Sequence, residues 1–486
     1  MQHPNPLRKA PLPDHSTRLR RRWFLTTLCA LGLLVAILGI RRPGASSGPT
    51  APADGQASLG APAISPQGET ARPELRRTSP APMLGPAAEE IVAAKLSQFA
   101  RSRLGFARAL ARRHNVQVPA DVERFFAALE SGNWDDIQAA FKKINGGDSS
   151  CSWTDTRAPD VNKLWPAIID AYGVAEQAHL WPAQQLLDYG NALLGALRPG
   201  MVYVGGTDNG RWIPELLNDT SDGERHIVIT QNGLAAGDYL DYLRLQYDDR
   251  LATLSDEDSQ RAFAEYVADA QKRLDHDQQF PDQPKQVLPT EDLSVVDGKV
   301  QVRGQAAVMA INERLLQILM QKNPDLSFAI QESFPLKSTY ADALPLGPLM
   351  ELEAGGGQNA FSPDLAAQSL DYWRNTTQDI LSDPDAADSP PALRSYSHDT
   401  VAAANLLAAH GFTAEAQEAY HLASQLWPAN PESVGALADL LAAGGRQDEA
   451  RQLLDTFTQQ YPDERKNIEQ TSAAWRLLWT PAAPAH

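Results

Sequence analysis

The sequence predicts an α/β domain with a helical N-terminal subdomain, followed by an all-α region of helical repeats, the whole carried behind a single N-terminal transmembrane helix. Three observations predict it. An uncharged apolar run spans Trp23 to Ile40, and short β-branched runs alternate with helix-length intervals between residues 199 and 360. Near the C-terminal end, five positions recur with a displacement of 34 residues. The expected division is a basic cytoplasmic segment 1–22, a transmembrane helix 23–40, a linker 41–86, a helical subdomain 87–198, an α/β domain 199–360 and repeats with capping helices 361–486.

The run WFLTTLCALGLLVAILGI has eighteen residues, and at a helical rise it covers roughly 27 Å, close to the hydrocarbon thickness of a bilayer. Six basic residues precede it and Arg41-Arg42 follow, so the positive-inside bias places the N-terminus in the cytoplasm and the folded mass on the extracytoplasmic, periplasmic side of the inner membrane. Arg21-Arg22-Trp23-Phe24-Leu25 also matches the twin-arginine export pattern, so a cleaved signal peptide is the rival reading. The apolar run exceeds the usual 7–15 residues of a signal core, and Arg41-Arg42 stand where a small-residue cleavage site would begin, which favours a signal anchor. Residues 1–42 carry +7 and the remainder −24, giving a net −17 that excludes a generally basic nucleic-acid binder. Only Cys29 and Cys151 are present, so no disulfide forms within the soluble part.

Between Pro43 and Pro86 nine prolines with Ala, Gly and Ser leave too little apolar surface to offset ordering entropy, and the segment reads as a disordered spacer. From Ala87, apolar residues at Ile91, Leu96, Phe99, Leu104, Phe106 and Leu110 fit one long helix with basic residues on its other face. Two short amphipathic helices follow, broken at Ser131-Gly132-Asn133, and further helix crosses 162–198 until Pro199-Gly200. Met201 to Val204 and His226 to Thr230 are apolar runs about 25 residues apart, the spacing of a strand, helix, strand crossover, so they are expected as parallel neighbours. Ser255 with Asp258 opens a helix as a variant capping box. Asp297-Gly298 between alternating runs predicts a hairpin over Leu293 to Val302, Gln305 to Lys322 reads as an apolar helix, and Ser327 to Gln331 and Leu349 to Glu353 supply further strands.

At the C-terminal end Gly411, Ala416, Tyr420, Ala423 and Pro428 recur as Gly445, Ala450, Leu454, Phe457 and Pro462. This pattern resembles the tetratricopeptide repeat, whose small residues let paired helices approach and whose prolines end the second helix. Two repeats span 398–463; a helix over Lys466 to Thr480 is expected to cap one end, and one around 363–381 the other. The first helices, 398–410 and 432–443, contain no Lys or Arg, so a basic clamp for a carboxylate is absent. Asn405 and Asp439, equivalent by the 34-residue shift, are the candidate groove residues for a protein or peptide partner.

One loop has the form of a ligand site. Gly205, Gly206, Thr207, Asp208 and Arg211 run from a strand into a helix at the carboxyl edge where α/β domains place ligands. Glycines permit close backbone approach, helix-start N–H groups favour an anion, and Arg211 is the candidate partner of a phosphate or carboxylate. Asn232, Tyr239, Asp241 and Glu332 are expected around the same crevice; a plain N-cap at Asp208 and a plain turn at Asn232-Gly233 are the alternatives. No cofactor fingerprint, no metal-ligand spacing and no nucleophile elbow occurs, so no cofactor, no metal and no catalytic residue is assigned.

The strings VYVGGTDNGRWIPELL, HIVITQNGLAAGDYLDYLRLQY, VQVRGQAAVMAIN and FAIQESFPL, together covering about 120–463 with the repeats, resemble an uncharacterised bacterial family that joins such an α/β region to tetratricopeptide repeats. They are also similar to the soluble region of large glycosyltransferase-like membrane proteins, where a multi-helix catalytic membrane part comes first and this chain has one apolar run in its place. The resemblance implies a detached accessory domain that handles a glycan or its carrier. The expectation is a membrane-tethered extracytoplasmic binding or scaffold protein, accessory to glycan or cell-envelope assembly. The alternative is an enzyme acting on a sugar or phosphate ester through the 205–211 loop.

Overall fold

The computed structural model describes residues 86–145, 157–206, 209–283, 285–287, 292–296, 299–303, 305–331, 343–352 and 361–473. The apolar run 23–40 and the linker lie outside these residues, and among the described residues no helix is long and apolar enough to cross a membrane. The described chain is mostly helical, with one small mixed sheet and a C-terminal repeat region.

Helix α1 (Ala88–His114) is the predicted long helix, ended by Asn115 in the left-handed region at φ 53°. Its buried stripe runs Val92, Leu96, Phe99, Arg103, Ala107 and Leu110, a three-to-four spacing that carries Arg103 inward. The expectation that its basic residues all face outward is therefore corrected: Arg103 stands four residues from both Phe99 and Ala107, so helical geometry puts it on the apolar face. Helices α2 (Ala120–Ser131) and α3 (Trp134–Ile144) break where predicted, at Gly132 with φ 72°, after which the Asn133 side chain caps the Asp136 N–H. The region 162–198 divides into α4 (Pro159–Leu180) and α5 (Ala183–Ala196) because Pro182 starts a new helix after the extended Trp181.

Strands β1 (Val202–Gly205) and β2 (Ile227–Thr230) pair in parallel as expected, joined through α6 (Asn209–Asp219). Helix α7 (Gly237–Tyr247) follows, then α8 (Asp256–Gln279), opened by the reciprocal Ser255–Asp258 capping box. The predicted hairpin forms from β3 (Asp292–Val296) and β4 (Lys299–Arg303) but stands apart as its own two-stranded sheet. After α9 (Gln305–Lys322), β5 (Phe328–Ile330) returns to lie parallel to β1 on the side away from β2. Strands β6 (Ala343–Leu346) and β7 (Leu349–Leu352) add antiparallel, so the five-stranded order is β2-β1-β5-β7-β6. Strand β6 carries Pro345 and sits at the edge, where a missing N–H disrupts no ladder.

One cluster of buried side chains runs from Val92 on α1 through Tyr203 and Ile229 in the sheet to Met350, so the N-terminal helices and the sheet share a core. A second cluster belongs to the repeats. Helix α10 (Pro363–Ser382) and the short α11 (Pro384–Ala387) lead into α12 (Pro390–Ala409), α13 (Thr413–Leu426), α14 (Pro431–Ala443) and α15 (Gln447–Gln460). Ala416, Ala450, Tyr420, Leu454 and Phe457 are buried in it, while Gly411 and Gly445 take φ of 83° and 80° at equivalent turns. Leu370 of α10 closes one end as predicted. At the other, α16 (Arg465–Thr471) is interrupted at extended Ser472, at φ −87°, ψ 124°, Ala473 is helical again, and the remainder of the helix expected to Thr480 lies outside the described residues. The candidate capping residues Trp475, Leu478 and Trp479 lie outside the described residues.

Candidate functional site

The strand order makes a switch point between β1 and β5: the chain leaves β1 toward β2 on one side and comes back as β5 on the other, which opens a crevice at their carboxyl ends. The predicted loop starts there. Thr207, Asp208 and Glu332 lie outside the described residues. Gly205 and Gly206 are buried in the structure, and the Gly206 carbonyl accepts from Thr230 Oγ1 at 2.8 Å. A Cβ on Gly205 would stand 2.9 Å from Arg211 Cβ and 3.1 Å from Tyr203 Cε1, so the glycine serves to let α6 start close against β1. Gly210 does the same toward Gln331, whose side chain fills the space a Cβ would need.

Arg211 is 6% exposed and turns inward. Its guanidinium donates to Asp170 of α4 and lies 3.4 Å from Glu215 one turn along α6. The expected pairing with a phosphate or carboxylate ligand gives way to an internal one, because two carboxylates already sit within reach in a dry environment. Arg103 completes this group: it is fully buried, donates to Glu215 at 2.7 Å and Asp219 at 2.5 Å, and packs over the Phe99 ring at 4.0 Å. Arg103, Arg211, Asp170, Glu215 and Asp219 thus tie α1, α4 and α6 together beneath the crevice. Removing one partner from such a buried set costs about 3–5 kcal/mol.

Asn232 lies in the short 3-10 turn after β2, is 8% exposed, and its carbonyl accepts from Asn312 Nδ2 at 3.5 Å. Its Nδ2 has no partner among the described residues. Tyr239 stands at the rim of the crevice, at the carboxyl end of β2, whereas Asp241 serves elsewhere. Asp241 accepts from Arg113 at 3.0 Å and Arg244 at 2.9 Å. The Tyr239 hydroxyl accepts from the Thr230 N–H at 2.8 Å, while Tyr247 accepts from the Val228 N–H and donates to its carbonyl, both at 2.9 Å. Two tyrosines thereby satisfy the outer edge of β2 as a neighbouring strand would. Burial pushes the Tyr239 hydroxyl up to about 12 against the opposing pull of Arg211 and the Thr230 N–H.

Sequence reasoning missed the polar group that does gather at the switch point. The Gln331 N–H continues the β5 ladder to the Val204 carbonyl at 2.9 Å. Its Nε2 donates to Asp399 of α12 at 2.6 Å and to the Tyr189 hydroxyl of α5 at 2.8 Å, and Tyr189 donates to Asp399 at 2.9 Å. Tyr203 of β1 donates to the Gly210 carbonyl and stands 3.4 Å from Gln331 Oε1. A continuous buried network therefore joins the crevice loop to the first repeat helix. Gln331 and Asp399 also line a small cleft with Met350, Ser369 and Leu406. Only Gln331 carried a signal in the sequence, as the last residue of an apolar run at a strand end.

On the repeats, Asn405 and Asp439 are half-buried at equivalent positions of α12 and α14. Asn405 accepts from the Tyr420 hydroxyl at 2.7 Å. Asp439 accepts from Ser472 Oγ at 2.8 Å and from the Ala473 N–H at 3.0 Å, so the chain emerging from α16 lies against it. Among the described residues no group of three or more His, Cys, Asp or Glu side chains is arranged to hold a metal.

A family model described as the tetratricopeptide repeat matches residues 407–471. The chain contains tetratricopeptide repeats, a fold that generally mediates protein–protein interaction. No curated protein and no solved structure matches the chain. The likeness to glycosyltransferase-like membrane proteins rests on the sequence strings alone.

Proposed function

We propose that this chain is a membrane-tethered extracytoplasmic scaffold whose repeats dock a protein partner, in service of glycan or cell-envelope assembly. The observation that carries the reading is the repeat pair itself: it has its own core, matches a family of interaction modules, and is coupled to the sheet through Asp399 and Gln331. The +7 segment, the uncharged run 23–40 and the proline-rich spacer support the tether and its orientation. The glycan context is supported by the resemblance of residues 120–463.

The test is fractionation of cells producing the chain with and without residues 1–42. The tethered form is expected in the membrane pellet, with its folded part digested by external protease once the outer membrane is permeabilised, and the shortened form in the soluble fraction. Protection of the folded part, or a shortened form that stays in the pellet, overturns the tether. Commitment of Arg211 to Asp170 and Glu215 removes the anion-pairing group on which an enzyme at 205–211 was built.

A further inference from the structure

The hairpin of β3 and β4 is a sheet of two strands, so each keeps one unpaired edge. Strand β4 is the one packed against α8 and α9, which leaves β3 outermost. Val296 stands opposite Lys299 across a two-residue connection, and a connection of that length is flanked by a hydrogen-bonded pair. Pairing alternates from there, so the N–H and C=O groups of Ser294 face β4 and those of Leu293 and Val295 point outward. Natural edge strands are guarded by proline or lysine; β3 has neither, and its one charge, Asp292, is at its first position.

Strand alternation puts Leu293, Val295, Val300 and Val302 on one face of the hairpin. Val302 is buried, Leu293 and Val300 are half-buried, and Val295 is 57% exposed, so this apolar face runs from the core out into solvent. Strand β3 also fits an antiparallel copy of itself. A two-fold centred on Ser294 sets Leu293 opposite Val295 of the second copy and Val295 opposite its Leu293, so every outward N–H and C=O of these residues is used and the apolar residues of both copies share one face. Centring on Leu293 or on Val295 leaves the other without a partner in the strand, and the intermediate registers set outward groups against inward ones. In the register centred on Ser294, Asp292 falls opposite Val296, so no like charges meet.

We propose that this chain pairs with a second copy of itself through β3, in a two-fold antiparallel register centred on Ser294 that joins the two hairpins into one sheet and covers Val295. A seam of five-residue strands is small beside the roughly 1,200 Å² of a stable interface, so the dimer forms and dissociates with concentration.

The test is sedimentation of the full chain in detergent from about 5 to 200 μM, where a monomer is expected to give way to a dimer. Ser294 is exposed, so substituting it alters the seam and not the core. Ser294→Lys and Ser294→Glu each set like charges across the two-fold and should weaken the dimer severalfold, while an equimolar mixture of the two variants should recover it. In chains that also carry Cys29→Ala and Cys151→Ala, Ser294→Cys should oxidise to a linked dimer, because the central non-hydrogen-bonded pair of such a ladder brings Cα atoms to about 4.5 Å. Gln301→Cys on β4 should not, since three strand spacings hold its two copies about 14 Å apart. A chain that stays monomeric throughout, a dimer indifferent to both charges, a mixture that recovers nothing, or Gln301→Cys linking as fully as Ser294→Cys overturns the proposal. Ser294→Cys linking in cells only to a different protein overturns it as well.

Discussion

Replacing Arg103 by Met removes the fully buried cation that holds α1 to α6. Its Nη2 lies 2.7 Å from Glu215 and 2.5 Å from Asp219, and its Nε 4.0 Å from Asp170. Without it, buried Asp170 and Glu215 keep only Arg211 as a cation, and half-buried Asp219 keeps only the amides of Asn218 and Gln246. Methionine keeps much of the packing on Phe99, so the loss is chiefly electrostatic, and breaking a buried pair of this kind costs about 3–5 kcal/mol. In urea unfolding followed by tryptophan fluorescence, an m-value of about 2 kcal/mol/M converts this to a midpoint lowered by about 1.5–2.5 M. Arg108→Met is the control, because its pair with Glu123 at 3.1 Å is half-exposed on both sides and contributes only about 0–1 kcal/mol. Adding Asp219→Asn to Arg103→Met is expected to recover part of the loss, since one stranded charge is removed with its partner. An Arg103→Met protein within about 1 kcal/mol of the parent, or no weaker than Arg108→Met, refutes the reasoning.

Tyr247→Phe strips the Val228 N–H and carbonyl of their hydroxyl partner, and leaving buried groups unpaired costs about 1–3 kcal/mol, read by denaturant unfolding and by faster amide exchange at Val228. Ala450→Leu overpacks a fully buried contact between repeat helices and is expected to lower stability by about 1–3 kcal/mol, with exchange rising in α14 and α15 and not in α1. The Asp258 carboxyl is held below its usual range: burial opposes this, and Lys322 and Ser255 outweigh it. A depressed pKa in the fold means its stabilisation is complete above the unfolded value and is lost as pH falls through the folded one. Asp258→Asn should therefore flatten the acid limb of the stability profile below about pH 4 and leave the free energy of local opening in α8, once intrinsic exchange rates are divided out, pH-independent there.

The parts of this fold set by local pattern were readable in the sequence. Met201 to Val204 and His226 to Thr230 announce a parallel pair through their spacing, Ser255 with Asp258 announces a helix start, and the 34-residue recurrence announces the repeats. What escaped depends on partners far along the chain. The helical period places Arg103 on the apolar face, but its partners there, Glu215 and Asp219, lie 112 and 116 residues away, which no local period encodes. Arg211 looked like an anion ligand because Asp170, 41 residues earlier, gives no sign of proximity. Gly205 was correctly marked as a place of close approach, but the approaching group is Arg211 of the chain itself, and Gly210, which was not marked, makes the same room for Gln331. Strand β6 was missed since Ala343-Leu344-Pro345-Leu346 is short and contains proline, both edge-strand traits. The Tyr189–Gln331–Asp399 network joins three elements 68 to 210 residues apart and left only a strand-end glutamine as a trace.

The central claim is that the α12–α14 face is where a partner protein sits, and site-specific photo-crosslinking in intact cells tests it most directly. A photoreactive residue at Ala409 or at Ala443 is predicted to give the same discrete adduct, while the same probe at half-buried Glu415 on α13 gives none. An adduct formed equally from all three positions, or from Glu415 alone, would contradict it.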